Sequence, residues 1–204
     1  MCADECLRPN TPEKTDDGNL QRGGATVYLI VGLPGAGKTT RAKQLEVDER
    51  ALRFTPDEWQ ISIFAGENPL DKRDIIEGEL VRVGMRAAQL GVNVIFDFGF
   101  WGKDERSALR WIARTVGASS RVVYLPISPA EQRQRVAARF ASTPGQTFPI
   151  SDGELAQWRA QFQPPDDEEL QGTEIPPVPS DHATWSQWAS QRWPSLPDQY
   201  VAPG

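Results

Sequence analysis

The sequence predicts an α/β fold, a three-layer arrangement in which a parallel sheet lies between two layers of helices. Three observations predict it. Apolar, β-rich runs alternate with helical periodicity from residue 25 to about residue 139, and that alternation builds parallel sheets covered on both faces. The first run leads straight into Gly32-Leu33-Pro34-Gly35-Ala36-Gly37-Lys38-Thr39, a complete G-x-x-x-x-G-K-[ST] phosphate-binding loop. Asp57 and Asp97, like that loop, fall at or just past a predicted strand end, where open α/β sheets bind their ligands.

The elements follow in order. A first strand covers 25–31, an apolar run suited to burial on both faces. The loop and a helix near 38–47 come next, then a second strand near 51–55. Thr55-Pro56-Asp57-Glu58 reads as a helix start, with Thr at the N-cap, Pro at the first helical position and Glu at N3. A longer helix near 72–90 carries Ile76, Leu80, Val83, Ala87 and Leu90 at helical spacing, and Gly91 stops it. Residues 92–97 form a third strand ending in Asp97. A helix over 103–115 and a fourth strand over 121–125 follow. Ser128-Pro129-Ala130-Glu131 repeats the capping pattern and opens a helix to about residue 139; a loop at 141–150 follows, and Ser151-Asp152-Gly153-Glu154 caps a helix to about 162. With its phosphate loop between first strand and first helix, this is a sheet of the P-loop nucleoside triphosphate hydrolase type.

Flanks of a different character enclose this core. Residues 1–24 are polar and rich in Gly and Pro, which predicts a flexible N-terminal arm. The only cysteines, Cys2 and Cys6, lie there, so disulfides do not hold the fold. Residues 164–204 hold 8 of the 17 prolines and the acidic run Asp166-Asp167-Glu168-Glu169. Trp185, Trp188 and Trp193 lie near a short helix predicted from Asp181. Three tryptophans bury a large apolar area, either by packing back onto the core or by meeting a protein partner through residues 180–194. The domain plan is therefore an arm at 1–24, a catalytic domain at 25–165 and an acidic extension at 166–204. Of the net charge of −6, residues 25–163 contribute +2. That near-neutral core argues against a nucleic-acid surface, which needs a basic footprint. No run of about 18 apolar residues and no secretory-type N-terminus occurs, so the expectation is a cytoplasmic chain without membrane contact.

The motif specifies chemistry. The backbone N–H groups of Gly32, Leu33, Pro34, Gly35, Ala36, Gly37, Lys38, Thr39 and Thr40 (Pro34 supplying only its turn) define the ATP phosphate cradle, with Lys38 reaching the β- and γ-phosphates. Thr39 offers a hydroxyl to Mg²⁺, and Asp97 ends its strand like a Walker-B acid, placed to hold Mg²⁺ directly or through water. Asp57 has two readings. It is a general base for an acceptor hydroxyl, or an acid that complements the helix dipole. Arg135 and Arg139 are spaced i,i+4 on one helix face before a loop, the arrangement of a lid that closes on phosphates. Arg133 lies on another face. No Asn-Lys-x-Asp guanine motif occurs.

These residues together resemble the P-loop kinase group, which includes polynucleotide 5′-kinases, chloramphenicol phosphotransferase and zeta-toxin-type kinases. The resemblance rests on Gly32–Thr40, Thr55-Pro56-Asp57-Glu58-Trp59, the strand ending at Asp97, and Arg135 with Arg139 before a lid. It spans about residues 25–165. Asp97-Phe98-Gly99-Phe100-Trp101, Glu105-Arg106 and Phe162-Gln163-Pro164-Pro165 are similar to uncharacterised bacterial ATP-binding proteins of the same group. The resemblance implies the kinase branch of the fold with a short lid, ATP and Mg²⁺ as cofactors, Asp57 as general base, and Lys38, Arg135 and Arg139 on the phosphates. Many relatives carry Asp-Ala-Thr-Asn where this chain has Asp97-Phe98-Gly99-Phe100, which points to a more aromatic acceptor pocket. The expected activity is transfer of the γ-phosphoryl group to a hydroxyl of a small molecule. A nucleoside or nucleotide kinase, and a nucleotide-regulated ATPase acting through the C-terminal extension, are the alternatives.

Overall fold

The computed structural model describes residues 24–64, 69–142 and 150–196. The predicted arm and most of the predicted lid loop therefore lie outside the described residues. Four parallel strands, β1 (Thr26–Val31), β2 (Leu52–Phe54), β3 (Val94–Gly99) and β4 (Ser119–Tyr124), form one sheet in the order β2-β3-β1-β4. The helices are α1 (Lys38–Asp48), α2 (Pro56–Ile63), α3 (Arg73–Gln89), α4 (Lys103–Thr115), α5 (Pro129–Ser142), α6 (Asp152–Gln161), α7 (Asp167–Gln171) and α8 (Trp185–Arg192).

The three layers follow from the two-residue period of β1. Val27, Leu29 and Val31 face a large core shared with Leu80, Val81 and Met85 of α3, Leu109 and Ile112 of α4, and Phe96. Tyr28 and Ile30 face the opposite way, onto Ala42 and Leu45 of α1. A strand buried on both faces needs an unbroken apolar run, and 27–31 supplies it. β2 is short because Thr55-Pro56 turns the chain into α2 at once. Thr55 takes the N-cap position but makes no capping bond; its hydroxyl accepts from Arg53, which also binds Glu58. The capping expected there is thus replaced by an arginine fork that reaches both polar groups. At Ser151 the expected capping box is present, the Glu154 backbone N–H donating to Ser151 Oγ at 3.2 Å and the Ser151 N–H to Glu154 Oε2 at 2.8 Å.

The C-terminal segment lies on the core. Trp185, Ala189, Trp193 and Leu196 belong to the same apolar cluster as β1 and α3. Helix α8 begins at Trp185 rather than Asp181, because the Thr184 hydroxyl caps it by accepting from the Gln187 N–H. The chain at 193–196 runs so close to α3 that a Cβ on Gly78 would lie 3.1 Å from the Trp193 Cβ and 2.3 Å from Ser195 Oγ. Only glycine permits that approach.

Candidate active site

The phosphate loop is built by its own backbone. Where β1 ends, the Gly32 N–H donates to the Gly99 carbonyl at 3.1 Å, tying the loop to the end of β3. Gly32 has φ 155, and a Cβ there would stand 2.8 Å from the Leu125 carbonyl oxygen. The Ala36 N–H closes a turn onto the Leu33 carbonyl at 3.1 Å. Helix α1 then starts at Lys38 with Gly37 at its N-cap and no side-chain cap. Its first N–H groups are left for an anion, and the helix dipole adds to their pull. Lys38 folds back over the loop, its Nζ donating to the Leu33 carbonyl at 3.2 Å. Burial lowers the proton affinity of its amine; Asp97 and Asp57 oppose this, while Arg139 and Arg73 add to it. The charges of two carboxylates and two guanidiniums, on four elements, are thus felt at this one amine.

Asp97 does not end its strand. β3 continues to Gly99, whose pairing with Val31 places the two residues Asp97 and Phe98 opposite the single Ile30. This is a β-bulge, and a bulge re-aims the side chains it displaces. The strand was expected to stop at the acid because a charge usually marks the edge of an apolar run; the Gly32–Gly99 bond instead carries the pairing two residues further. Asp97 is 5% exposed, and both its carboxylate oxygens are buried without a hydrogen-bond partner. Burial pushes its carboxyl up; the Thr39 hydroxyl acts against this from nearby, though short of hydrogen-bond geometry, and so do Lys38 and Arg53. A buried, unpartnered carboxylate is costly. Two orphan hard oxygen ligands next to a hydroxyl at the foot of a phosphate cradle fit Mg²⁺, which takes one or two protein oxygens together with phosphates and water.

Asp57 stands in the first turn of α2, exposed, with Arg73 NH1 donating to its Oδ1 at 2.7 Å. Arg73 NH1 also reaches Gln60 Oε1 at 3.3 Å, and its Nε donates to Glu77 at 2.8 Å. From the opposite side, Arg135 of α5 donates to the Gly35 carbonyl at 3.3 Å and pairs with Glu131 at 2.6 Å. The charge of Arg139 is felt at Lys38. Lys38, Asp57, Asp97, Arg135 and Arg139 are thus brought around one loop. The aromatic pocket expected from Phe98 and Phe100 is not formed by those residues. Both are buried in the main core, their rings 5.1 Å apart, because the bulge sends them inward. The exposed aromatic side chain nearest in sequence to Asp57 is Trp59.

Two residues of this site escaped the sequence reading. Gly99 backs the loop through its carbonyl, and nothing in a lone glycine announces that. Arg73 meets Asp57 from another helix; its only visible signal is the i,i+4 spacing to Glu77.

Fold and site define a class, the P-loop kinase-like α/β proteins. Within it, the chain belongs to the AAA_33 family of AAA domains, which matches residues 27–165. No curated protein sequence matches it. Among solved structures it is similar to a protein of Chloroflexus aurantiacus j-10-fl described as a "putative kinase", with 18% identity and a TM-score of 0.58 over 77% of this chain and 84% of that one. It is similar to a chain of the Pnkp1/Rnl/Hen1 RNA repair complex, with 15% identity and a TM-score of 0.56 over 81% of this chain and 51% of that one. APE1195 shows 21% identity and a TM-score of 0.52 over 88% and 97%. At these identities the likeness is one of fold. Among the described residues no helix is long and apolar enough to cross a membrane.

Proposed function

We propose that the chain is an ATP-dependent kinase that moves the γ-phosphoryl group to a hydroxyl of a small molecule. The observation that supports this reading best is the buried Asp97 carboxylate, both oxygens unpartnered, beside the Gly32–Thr39 loop at the C-terminal end of the sheet. Phosphoryl transfer needs a cradle, a metal ligand set, a proton acceptor and positive charge on the moving group, and each has a named residue here. The backbone of Gly32 to Thr40 binds the triphosphate, and Lys38 swings from the Leu33 carbonyl onto the β- and γ-phosphates. Thr39 and Asp97 would hold Mg²⁺, which when bound supplies charge neutralisation at the phosphates. Asp57 takes the proton of the acceptor hydroxyl as its oxygen bonds to the γ-phosphorus and the bond to the β,γ-bridging oxygen breaks; ADP departs. Arg135 and Arg139 approach from α5, cover the phosphates and exclude water.

The RNA repair neighbour raises the alternative of a nucleic-acid-end acceptor. The net +2 of residues 25–163 speaks against it. Labelled ATP offered to hydroxyl-bearing metabolites, antibiotics and oligonucleotides names the acceptor. Asp57→Asn then tests the mechanism. Mg·ATP binding should persist while transfer falls by about 10²–10⁴-fold, the usual worth of a positioned base. Release of free phosphate alone, with no labelled acceptor, would favour a nucleotide-regulated ATPase over a kinase.

A further inference from the structure

Glu77 of α3 is 4% exposed, yet it carries a carboxylate with three donors around it. Its Oε1 accepts from Arg73 Nε at 2.8 Å. Its Oε2 accepts from the indole N–H of Trp193 at 3.2 Å and from Arg192 NH2 at 3.4 Å. Burial pushes the Glu77 carboxyl up, and Arg73, Arg192 and Trp193 pull it back. Arg192 is in turn held by Glu105 of α4 at 2.8 Å and Asp74 of α3 at 2.5 Å, with its guanidinium 5.6 Å from the centre of the Trp193 ring. On the other side of Glu77, Arg73 reaches Asp57 at 2.7 Å. One buried carboxylate thus joins two groups that have no other reason to be linked. One is the candidate base. The other is the end of helix α8, beyond the residues that the family match covers.

We propose that α8 belongs to the machinery that positions Asp57: Arg192 and Trp193 hold Glu77, Glu77 holds Arg73, and Arg73 orients the Asp57 carboxylate. This rests on the reading of Asp57 as the general base. The physics is that of a shared counter-ion. A buried carboxylate that loses the partners of one oxygen turns to those that remain. With Arg192 or Trp193 gone, Glu77 draws the Arg73 guanidinium onto itself and away from Asp57. A guanidinium has donors enough for both acids only while its plane is fixed between them. Arg73, Glu77, Arg192 and Trp193 are positioning residues and touch no reacting atom. A displacement of about 1 Å at a reacting group can lower a rate by about 10²-fold, so a remote change at α8 is able to act on turnover.

The test uses the full chain and begins without any acceptor. In ¹⁵N and ¹³C spectra, the Arg73 Nε–H signal is assigned by its loss in Arg73→Lys and the Asp57 carboxyl signal by its loss in Asp57→Asn. Trp193→Phe keeps an apolar ring and removes the indole donor; Arg192→Lys keeps the charge and removes the fork. The expected result is that both variants move the Arg73 and the Asp57 signals, whereas Ser190→Ala, elsewhere on α8, moves neither. Arg73 and Asp57 signals that stay in place in both variants would overturn the proposal. Should Trp193→Phe fail to fold, Arg192→Lys and Glu77→Gln carry the same comparison. Single-turnover transfer to the acceptor found by the labelled-ATP screen is the second reading. It should fall by up to about 10²-fold in Trp193→Phe and Arg192→Lys, with the Kd for Mg·ATP unchanged. Equal loss of ATP binding and transfer would mark a structural effect and count against positioning. If the signals move together but Asp57→Asn transfers phosphate at the wild-type rate, the base assignment falls and the link from α8 to Asp57 stands.

Discussion

A carboxylate buried with neither oxygen satisfied, as Asp97 is, is a feature that stability alone would remove. Exchanging it for asparagine deletes the buried charge, so Asp97→Asn should melt no lower than the wild type in the absence of Mg²⁺. Mg·ATP should raise the melting temperature of the wild type and not that of this variant, since a ligand stabilises only the state that binds it. Thermal melts of both proteins with and without Mg·ATP check this; an unchanged Mg·ATP shift would remove Asp97 from the metal site. Asp97 was legible in the sequence as an acid near the end of an apolar strand. Its unpartnered state was not, because that depends on the bulge opposite Ile30, and a bulge leaves no mark in hydrophobic periodicity. Asp57 was legible too, through Thr55-Pro56, but its partner Arg73 was not. Sixteen positions separate them, and only the packing of α2 on α3 brings them together.

At the scale of elements, the helical spacings read well. The extent of α4 matches the expectation, α1 runs one residue further at its C-terminal end, and α3 is one residue shorter at each end. What pattern could not give is where a strand continues through backbone pairing alone, as β3 does to Gly99, or where a capping residue is claimed by something else, as Arg53 claims Thr55. Helix α5 yields a comparison within one element. Arg139→Ala should lower turnover more than ATP affinity, by about 10–10²-fold, because its charge acts on phosphates as they separate. Arg133→Ala, on another face, should change neither by more than about twofold. Steady-state kinetics of the two variants under one set of conditions decide; equal losses would end the lid reading of α5. Helix α8 carries a pH dependence. His182 faces Asp181 Oδ1 at 2.8 Å and Gln191 Oε1 at 2.9 Å, so the doubly protonated ring can donate to both. The Asp181 hydrogen bond above all, then Gln191, raises its pKa above the ordinary 6.5, with Asp104 adding to the effect. A raised value means the stabilisation is fully present below about pH 6.5 and is lost as pH rises through the folded value. Amide exchange in α8, corrected for the intrinsic rate, should be slower at pH 6 than at pH 8, and His182→Gln should abolish the difference. Equal protection at the two pH values in the wild type would refute it.

Across the whole molecule, a second buried pair decides what counts as the folding unit. Arg106, 0% exposed, donates from Nε and NH2 to both oxygens of Glu169 at 2.7 and 2.9 Å. It also donates from NH1 to the carbonyl oxygens of Phe100 and Gln163 at 3.2 and 2.9 Å. One guanidinium so fastens the segment that follows β3 to α7 and to the chain after α6. Arg106→Met should cost about 3–5 kcal/mol, the penalty of leaving a buried carboxylate unpaired, and adding Glu169→Leu should restore much of it. Urea unfolding of the single and double variants measures both; a double variant no better than the single one would show that the carbonyl contacts, not the ion pair, are what the arginine provides. The family match ends at residue 165, whereas this pair, Trp193 and Leu196 do not. Synthesis runs from the N-terminus, so the ribosome delivers Arg106 long before Glu169. During that interval the nascent chain holds a cation meant for the interior with no anion to receive it, and α3 holds Glu77 without Trp193. The sheet can form early, but its sealing must wait for the last helices to leave the exit tunnel. A partly made chain then carries its glycine-rich loop and Arg73 with Asp57 before Trp193 has arrived to meet Glu77.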